Sequence, residues 1–118
     1  MIGNIARACV LAAVFAAPTI ASAGTVYDGS WSLSIVTERG ACDRYNFPAQ
    51  ISNGRVSFPG LAKANGRVTA RGSVRVFVSA MGKSASGSGR LSLGSGHGRW
   101  TGRSGHDRCS GSWSAQRS

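Results

Sequence analysis

Acids, prolines and cysteines are scarce in this chain of 118 residues, which holds four Asp plus Glu, three Pro and three Cys. The four acids, Asp28, Glu38, Asp43 and Asp107, are scattered, which leaves no carboxylate pair for glycoside chemistry. Asp43, between Cys42 and Arg44, reads instead as half of a local ion pair. No C-x-x-C occurs, and only His106 stands near a cysteine, Cys109, so a zinc site lacks its ligands. His97, His106 and Asp107 lie in Gly/Ser-rich turn sequence, and no serine has a nucleophile-elbow context. Gly82-Lys83-Ser84 ends like a phosphate-binding loop, but Phe77 stands where the first glycine belongs. The glycines of 94–98 are followed by Arg99 and Thr101 at the closing positions of a dinucleotide fingerprint. These gaps exclude most enzyme chemistries. The expected protein is not an enzyme and carries no cofactor or metal.

Long apolar runs are missing too, with one exception. Arg7 is the only charge before Asp28, and the uncharged stretch Ala8 to Ala17 follows it. Pro18 breaks that stretch, and Ala21-Ser22-Ala23 supplies the small-x-small pattern of a signal-peptidase site, placing the cut before Gly24. Ten apolar residues reach about 15 Å as a helix, half of a hydrocarbon core, so an export signal is expected over 1–23 rather than an anchor. Cys9 lies at the start of the apolar run, whereas a lipid-modified cysteine follows it.

Cleavage leaves 95 residues, enough for one small domain over 24–118. It also removes Cys9, so Cys42 and Cys109 remain as the single possible pair in an oxidising compartment. A bond between them closes a loop of 67 residues, and loop entropy alone then contributes about 4 kcal/mol. A metal site and a catalytic thiol are the alternatives, and neither has supporting neighbours.

What the chain has in plenty is glycine, 17 residues, with serine almost as frequent. The apolar residues nevertheless alternate. Trp31, Leu33 and Ile35 share one parity against Ser30, Ser32 and Ser34; Val74, Val76 and Val78 repeat the pattern, as do Leu91 and Leu93, and Cys109, Gly111, Trp113 and Ala115. No window of ten or more residues after the signal has a helical period. Asn53-Gly54 and Asn65-Gly66 are strong two-residue hairpin signals. Pro59-Gly60, Gly72, Met81-Gly82, Ser86-Gly87 and Ser95-Gly96 mark further breaks. Between them the sequence predicts about eight strands, near 30–37, 44–51, 55–58, 67–71, 73–80, 89–94, 98–103 and 109–116. Pro48 interrupts the second or puts it at an edge. The fold class is all-β, a single antiparallel meander closed as a barrel or folded as a sandwich. Gly29-Ser30-Trp31-Ser32 recurs as Gly111-Ser112-Trp113-Ser114, and the disulfide would draw the first and last strands together, which favours closure.

A region opening on Asp28-Gly29-Ser30-Trp31, punctuated by glycine and ending in Cys109-Ser110-Gly111-Ser112-Trp113, resembles small exported β-domain proteins of proteobacteria whose function is unknown. The resemblance spans nearly all of 24–118. It implies a secreted β domain and carries over no catalytic or binding residue.

The remaining signal is charge. Without Arg7 the chain has 13 Lys plus Arg against four acids, a net +9, and eleven of the 13 are arginine. So basic an exported domain is drawn to polyanions, and the guanidinium fork suits phosphate and carboxylate. Arg55, Arg67, Arg75, Arg90 and Arg99 each precede an apolar strand residue, so the pleat turns them outward. Arg55 and Arg99 are expected at one end of the domain and Arg67 and Arg90 at the other, as a broadly basic skin. Phe77 is expected to face out beside Arg75, free to stack on a ligand or packed under a loop.

The first functional expectation is an exported, periplasmic or extracellular binding module for anionic material. Its partners would be anionic polysaccharide, lipopolysaccharide or a membrane surface, with nucleic acid bound only non-specifically. The second is a small β-barrel holding a hydrophobic or glycan ligand. Trp31, Trp100, Trp113 and the valines filling the interior would oppose it, whereas a cavity above roughly 300 Å³ would put it first. The third is an inhibitor of a secreted enzyme acting through segment 81–88. The disulfide is testable at once: reduced 24–118 protein melts well below the oxidised form, and equal melting temperatures rule the cross-link out as a stabilising element.

Overall fold

The structure, a computed structural model, describes residues 25–60 and 63–118. The expected export signal, with Cys9, lies outside the described residues. Eight strands follow in order: β1 (Gly29–Arg39), β2 (Tyr45–Ser52), β3 (Arg55–Ser57), β4 (Lys63–Val68), β5 (Ser73–Ala80), β6 (Lys83–Leu91), β7 (Ser95–Ser104) and β8 (Asp107–Arg117). Each pairs antiparallel with the next, and β8 returns to β1 over Trp31↔Arg117 to Arg39↔Ser110. The meander is a closed barrel, not a sandwich.

Period-two alternation sorts the strands into an apolar interior and a polar exterior. Trp31, Ala49, Ile51, Val56, Val68, Val74, Leu91, Trp100, Trp113 and Ala115 are buried inside. Ser30, Ser32, Gln50, Arg67, Arg75 and Ser114 stand outside. Lipid requires the reverse, an apolar band facing outward. Pro48 is accommodated within β2, opposite Ser32 and turned outward.

Two of the expected hairpins form as read. Asn53-Gly54 has φ of 53° and 77°, and Met81-Gly82 has 52° and 78°, the left-handed pair of a tight two-residue turn. Asn65-Gly66 does not turn. It lies inside β4, facing Phe77 and Val76 of β5. A Cβ on Gly66 would stand 2.7 Å from a Val76 methyl and 3.0 Å from the Arg75 carbonyl, so this glycine serves close packing. Ser86-Gly87 and Ser95-Gly96 likewise lie within β6 and β7. β6 thus begins at Lys83 and β4 at Lys63, several residues ahead of the expected starts at 89 and 67.

The interior glycines make room for tryptophan. Gly89 and Gly98 are partners across β6 and β7, and a Cβ on either would come within 2.6 Å of the Trp113 indole. Trp113 lies over this flat patch, and its Nε1 donates to the Ser88 carbonyl at 3.2 Å. Trp100 Nε1 donates to the Val36 carbonyl at 3.1 Å, so both large rings are buried without an orphaned donor.

The barrel end where β1 begins and β8 finishes is shut. Tyr27 is buried there, and its carbonyl accepts the Trp31 indole N–H at 2.9 Å. The Arg117 guanidinium lies 4.7 Å from the Trp31 ring centre and donates to the carbonyls of Asp28, Val26 and Leu93. Asp28 completes the seam, accepting from the Asn53 amide at 2.8 Å, the Gly54 amide at 3.2 Å and the Thr25 hydroxyl at 2.8 Å. One strap, 25–28, therefore crosses the end and is tied to the β2–β3 turn and to β8.

Cys42 and Cys109 form the expected disulfide, with Cα atoms 6.1 Å apart. As expected, Cys42 follows the first strand and Cys109 lies at the opening of the last. β1 and β8 are also joined by their own ladder, and the bond clamps the β1–β2 connection against the start of β8. The cross-link is compatible with an oxidising, exported location.

The Asn53 amide above all holds the Asp28 carboxyl below its ordinary value; desolvation, next in size, opposes it, and the Thr25 hydroxyl and the Gly54 amide add to the lowering. A depressed carboxyl stabilises the fold above its unfolded value and loses that contribution as pH falls through the folded one. Asp28→Asn is expected to lower the melting temperature at neutral pH, with the gap to the native protein closing on acidification through the aspartate range. A gap independent of pH would refute the role of this charge.

Candidate functional site

Eight strands enclose a space that side chains can just fill, or that holds one small ligand. Here they do not fill it. A cavity of about 430 Å³ runs up the barrel. Its base is set by Trp31, Ile51, Leu91 and Ala115, and its walls by Leu33, Ile35, Phe58, Val76, Val78 and Ala85. Along one wall Tyr45 stacks on Phe47 with ring centres 5.6 Å apart, and Phe58 meets Phe47 edge-on at 6.4 Å.

The cavity opens opposite the strapped end. Its upper lining includes Cys42, Tyr45, Ser79, Met81, Lys83 and Ser104, all from the ends of β1–β2, β5–β6 and β7 that meet there. Met81, in the β5–β6 turn, is 96% exposed. Among the described residues, the β5–β6 and β7–β8 connections at this mouth are the tight turns Met81-Gly82 and Gly105-His106, which add no covering segment.

The polar lining is one-sided. Ala85, Gly87, Gly89 and Leu91 set the inward parity of β6, and Lys83 continues it at the lip. Its ladder partners are Ala80 and Ser104. Arg103 borders the same lip from the outward side of β7. Among the described residues the one salt bridge is Arg99 to Glu38 at 3.0 Å, so neither Lys83 nor Arg103 is paired with a carboxylate. The local ion pair expected at Asp43 is not formed; Asp43 offers its carbonyl to Thr37.

The arginines on the outer wall arrange otherwise than expected. Arg55 faces Arg67, Arg67 faces Arg75, Arg75 faces Ser88, and Ser88 faces Arg99. Four of the five residues in one transverse row are arginine. The expected split between the two ends rested on β4 starting at Arg67; because it starts at Lys63, Arg67 falls in line with Arg55. Arg90 lies one step along, opposite His97, and Arg75, Arg90, His97 and Arg99 border one shallow basin. Phe77 is on the same face, 48% exposed and, among the described residues, not covered by a loop.

His97 and His106 sit near opposite ends of β7, nine positions apart, so about 30 Å of extended strand keeps them from a shared ion. Among the described residues no three His, Cys, Asp or Glu side chains gather as a metal site. Of segment 81–88, only Met81-Gly82 is turn, and the remainder is β6 itself.

Fold and site together define a class: an up-and-down eight-stranded barrel with an apolar interior open at one end. Compared with family profiles, curated proteins and solved structures, the chain matches none. The sequence reading missed Lys83, which it placed in a phosphate-loop fragment and a turn. Its parity with Ala85 was the available signal, hidden by the glycines read as breaks.

Proposed function

We propose that this chain is an exported, non-enzymatic β-barrel that binds one small apolar molecule in its interior, in the periplasm or the medium. The observation that carries this reading is the cavity of about 430 Å³. It exceeds the threshold that ranks a ligand-holding barrel ahead of a surface-binding module, and it falls within the range of small-molecule sites. Burying the apolar surface of a ligand against Phe47, Phe58, Val78 and Leu91 supplies the driving force, at about 25 cal/mol per Å² removed from water. The strapped end keeps the cavity from becoming a channel. The neutral fluorophore N-phenyl-1-naphthylamine is expected to bind the 24–118 protein with enhanced emission. Ala85→Phe, which projects a ring into the cavity, is expected to abolish that binding with the melting temperature kept. Absence of binding by the native barrel, or unchanged binding by the folded variant, would overturn the reading.

A second reading rests on a separate observation, the arginine row. Like charges directly opposite on neighbouring strands are destabilising. Arg55, Arg67 and Arg75 are consecutive partners, with strands about 4.8 Å apart. An acidic polysaccharide or other anionic envelope material laid across the row would relieve that repulsion. Arg67→Gln/Arg75→Gln is expected to elute from heparin at lower salt than the native protein while melting at the same or a higher temperature. Unchanged elution would remove the row as a binding surface.

A further inference from the structure

We infer that the ligand of the barrel is an amphiphile with one anionic head, held at the mouth by Lys83, with its apolar body in the interior. This rests on the apolar-ligand reading and specifies its chemistry. The lining below the lip is almost wholly hydrocarbon and aromatic, while the polar groups collect in one arc at the ends of β5, β6 and β7. That arc holds Ser79, Lys83, Ser84, Arg103 and Ser104. A wholly apolar ligand leaves this arc unused, and a polar one wastes the walls. A molecule apolar along its length and charged at one end uses both.

The sign of the head follows from Lys83. Among the described residues it is the one cation that both lines the cavity and occupies an inward position of the pleat, continuing the row Leu91, Gly89, Gly87 and Ala85 up to the lip. Every other wall position in that row is small or apolar, so Lys83 is the charged residue at the top of that column. Ser104, its partner on β7, offers a hydroxyl beside it. Asp107 is a further strand away, partnered with Ser104, and makes no ion pair with Lys83. The nearest second cation on the lip is Arg103. Lys83 is exposed at the open mouth, so a head group reaches it from solvent, and hydrogen bonds to charged groups are among the stronger ones. The lip also carries Arg39, Arg44 and Arg108 against Asp43 and Asp107 at the same end, a net positive rim that raises the local concentration of anions at the opening.

The test uses displacement of N-phenyl-1-naphthylamine from the 24–118 protein by decanoate, decyl phosphate and 1-decanol, which share an alkyl chain and differ in the head. Decanoate and decyl phosphate are expected to compete on the order of tenfold more tightly than 1-decanol, the size of one charge-assisted hydrogen bond. The two anions separate a carboxylate preference from a phosphate preference, and either supports the inference. Lys83→Gln is expected to bring the anions down to the affinity of 1-decanol with the fluorophore and the alcohol unaffected. Lys83→Arg is expected to keep the preference. Lys63→Gln, at the same end but turned outward on β4, is expected to leave it unchanged. Equal competition by alcohol and anion in the native protein would overturn the anionic head and leave the apolar-ligand reading standing. A preference that survives Lys83→Gln, or that Lys63→Gln abolishes as fully, would overturn the assignment to Lys83. If the fluorophore itself fails to bind, both readings fall together.

Discussion

Closure between β1 and β8 is the constraint on which the other features depend. Once the last strand returns to the first, every residue is committed to an inside or an outside, and a period of two becomes an instruction for the whole molecule. Trp31, Trp100 and Trp113 occupy the inside, where each large ring needs a space that a uniformly filled wall would deny it. Glycine provides that space. The Gly89–Gly98 pair carries the Trp113 ring, and the missing Cβ of Gly66 lets Val56 and Val76 approach across β4. The high glycine content is thus a packing requirement of a narrow barrel with wide aromatic contents, as much as a supply of turns.

Closure also creates two ends, and they are treated differently. One is sealed by the strap over Tyr27 and by Arg117, whose guanidinium rests on Trp31 and satisfies three carbonyls that would otherwise face an open end. The other is left wide, with short turns and the disulfide-clamped β1–β2 connection around it. A sealed base and an open lip make a vessel rather than a channel. The charge follows the same division: the interior is neutral, the outer wall bears the arginine row, and the lip is where the two meet in Lys83.

Much of this was legible in the residues, and the misreadings have one cause. Asn53-Gly54 and Asn65-Gly66 are alike as dipeptides, yet only the first turns. Asn53-Gly54 lies between Ile51 and Val56, which pair across it, whereas Asn65-Gly66 faces Phe77 and Val76 on a neighbouring strand that local sequence does not reveal. A glycine needed for a positive φ and one needed for a close approach look the same until the partner strand is known. Reading Gly66 and Gly87 as turns moved two strand boundaries. That split the arginine row between two ends and hid the inward parity of Lys83 within β6. The outward position of Phe77 and the pairing of Cys42 with Cys109 needed only alternation and counting, and both stand.

By itself the sequence determined that the chain is all-β, that its strands are half-buried, that eight of them form a meander, and which two cysteines pair. These are properties of local period, turn chemistry and number, carried by residues close together in the chain. Tertiary structure alone decided that the sheet closes as a barrel, that three tryptophans and the valines leave about 430 Å³ unfilled, and that four arginines align across five strands. Volume and register are sums over strands distant in sequence. A shift of one residue in any ladder would change them while leaving every local pattern as it is.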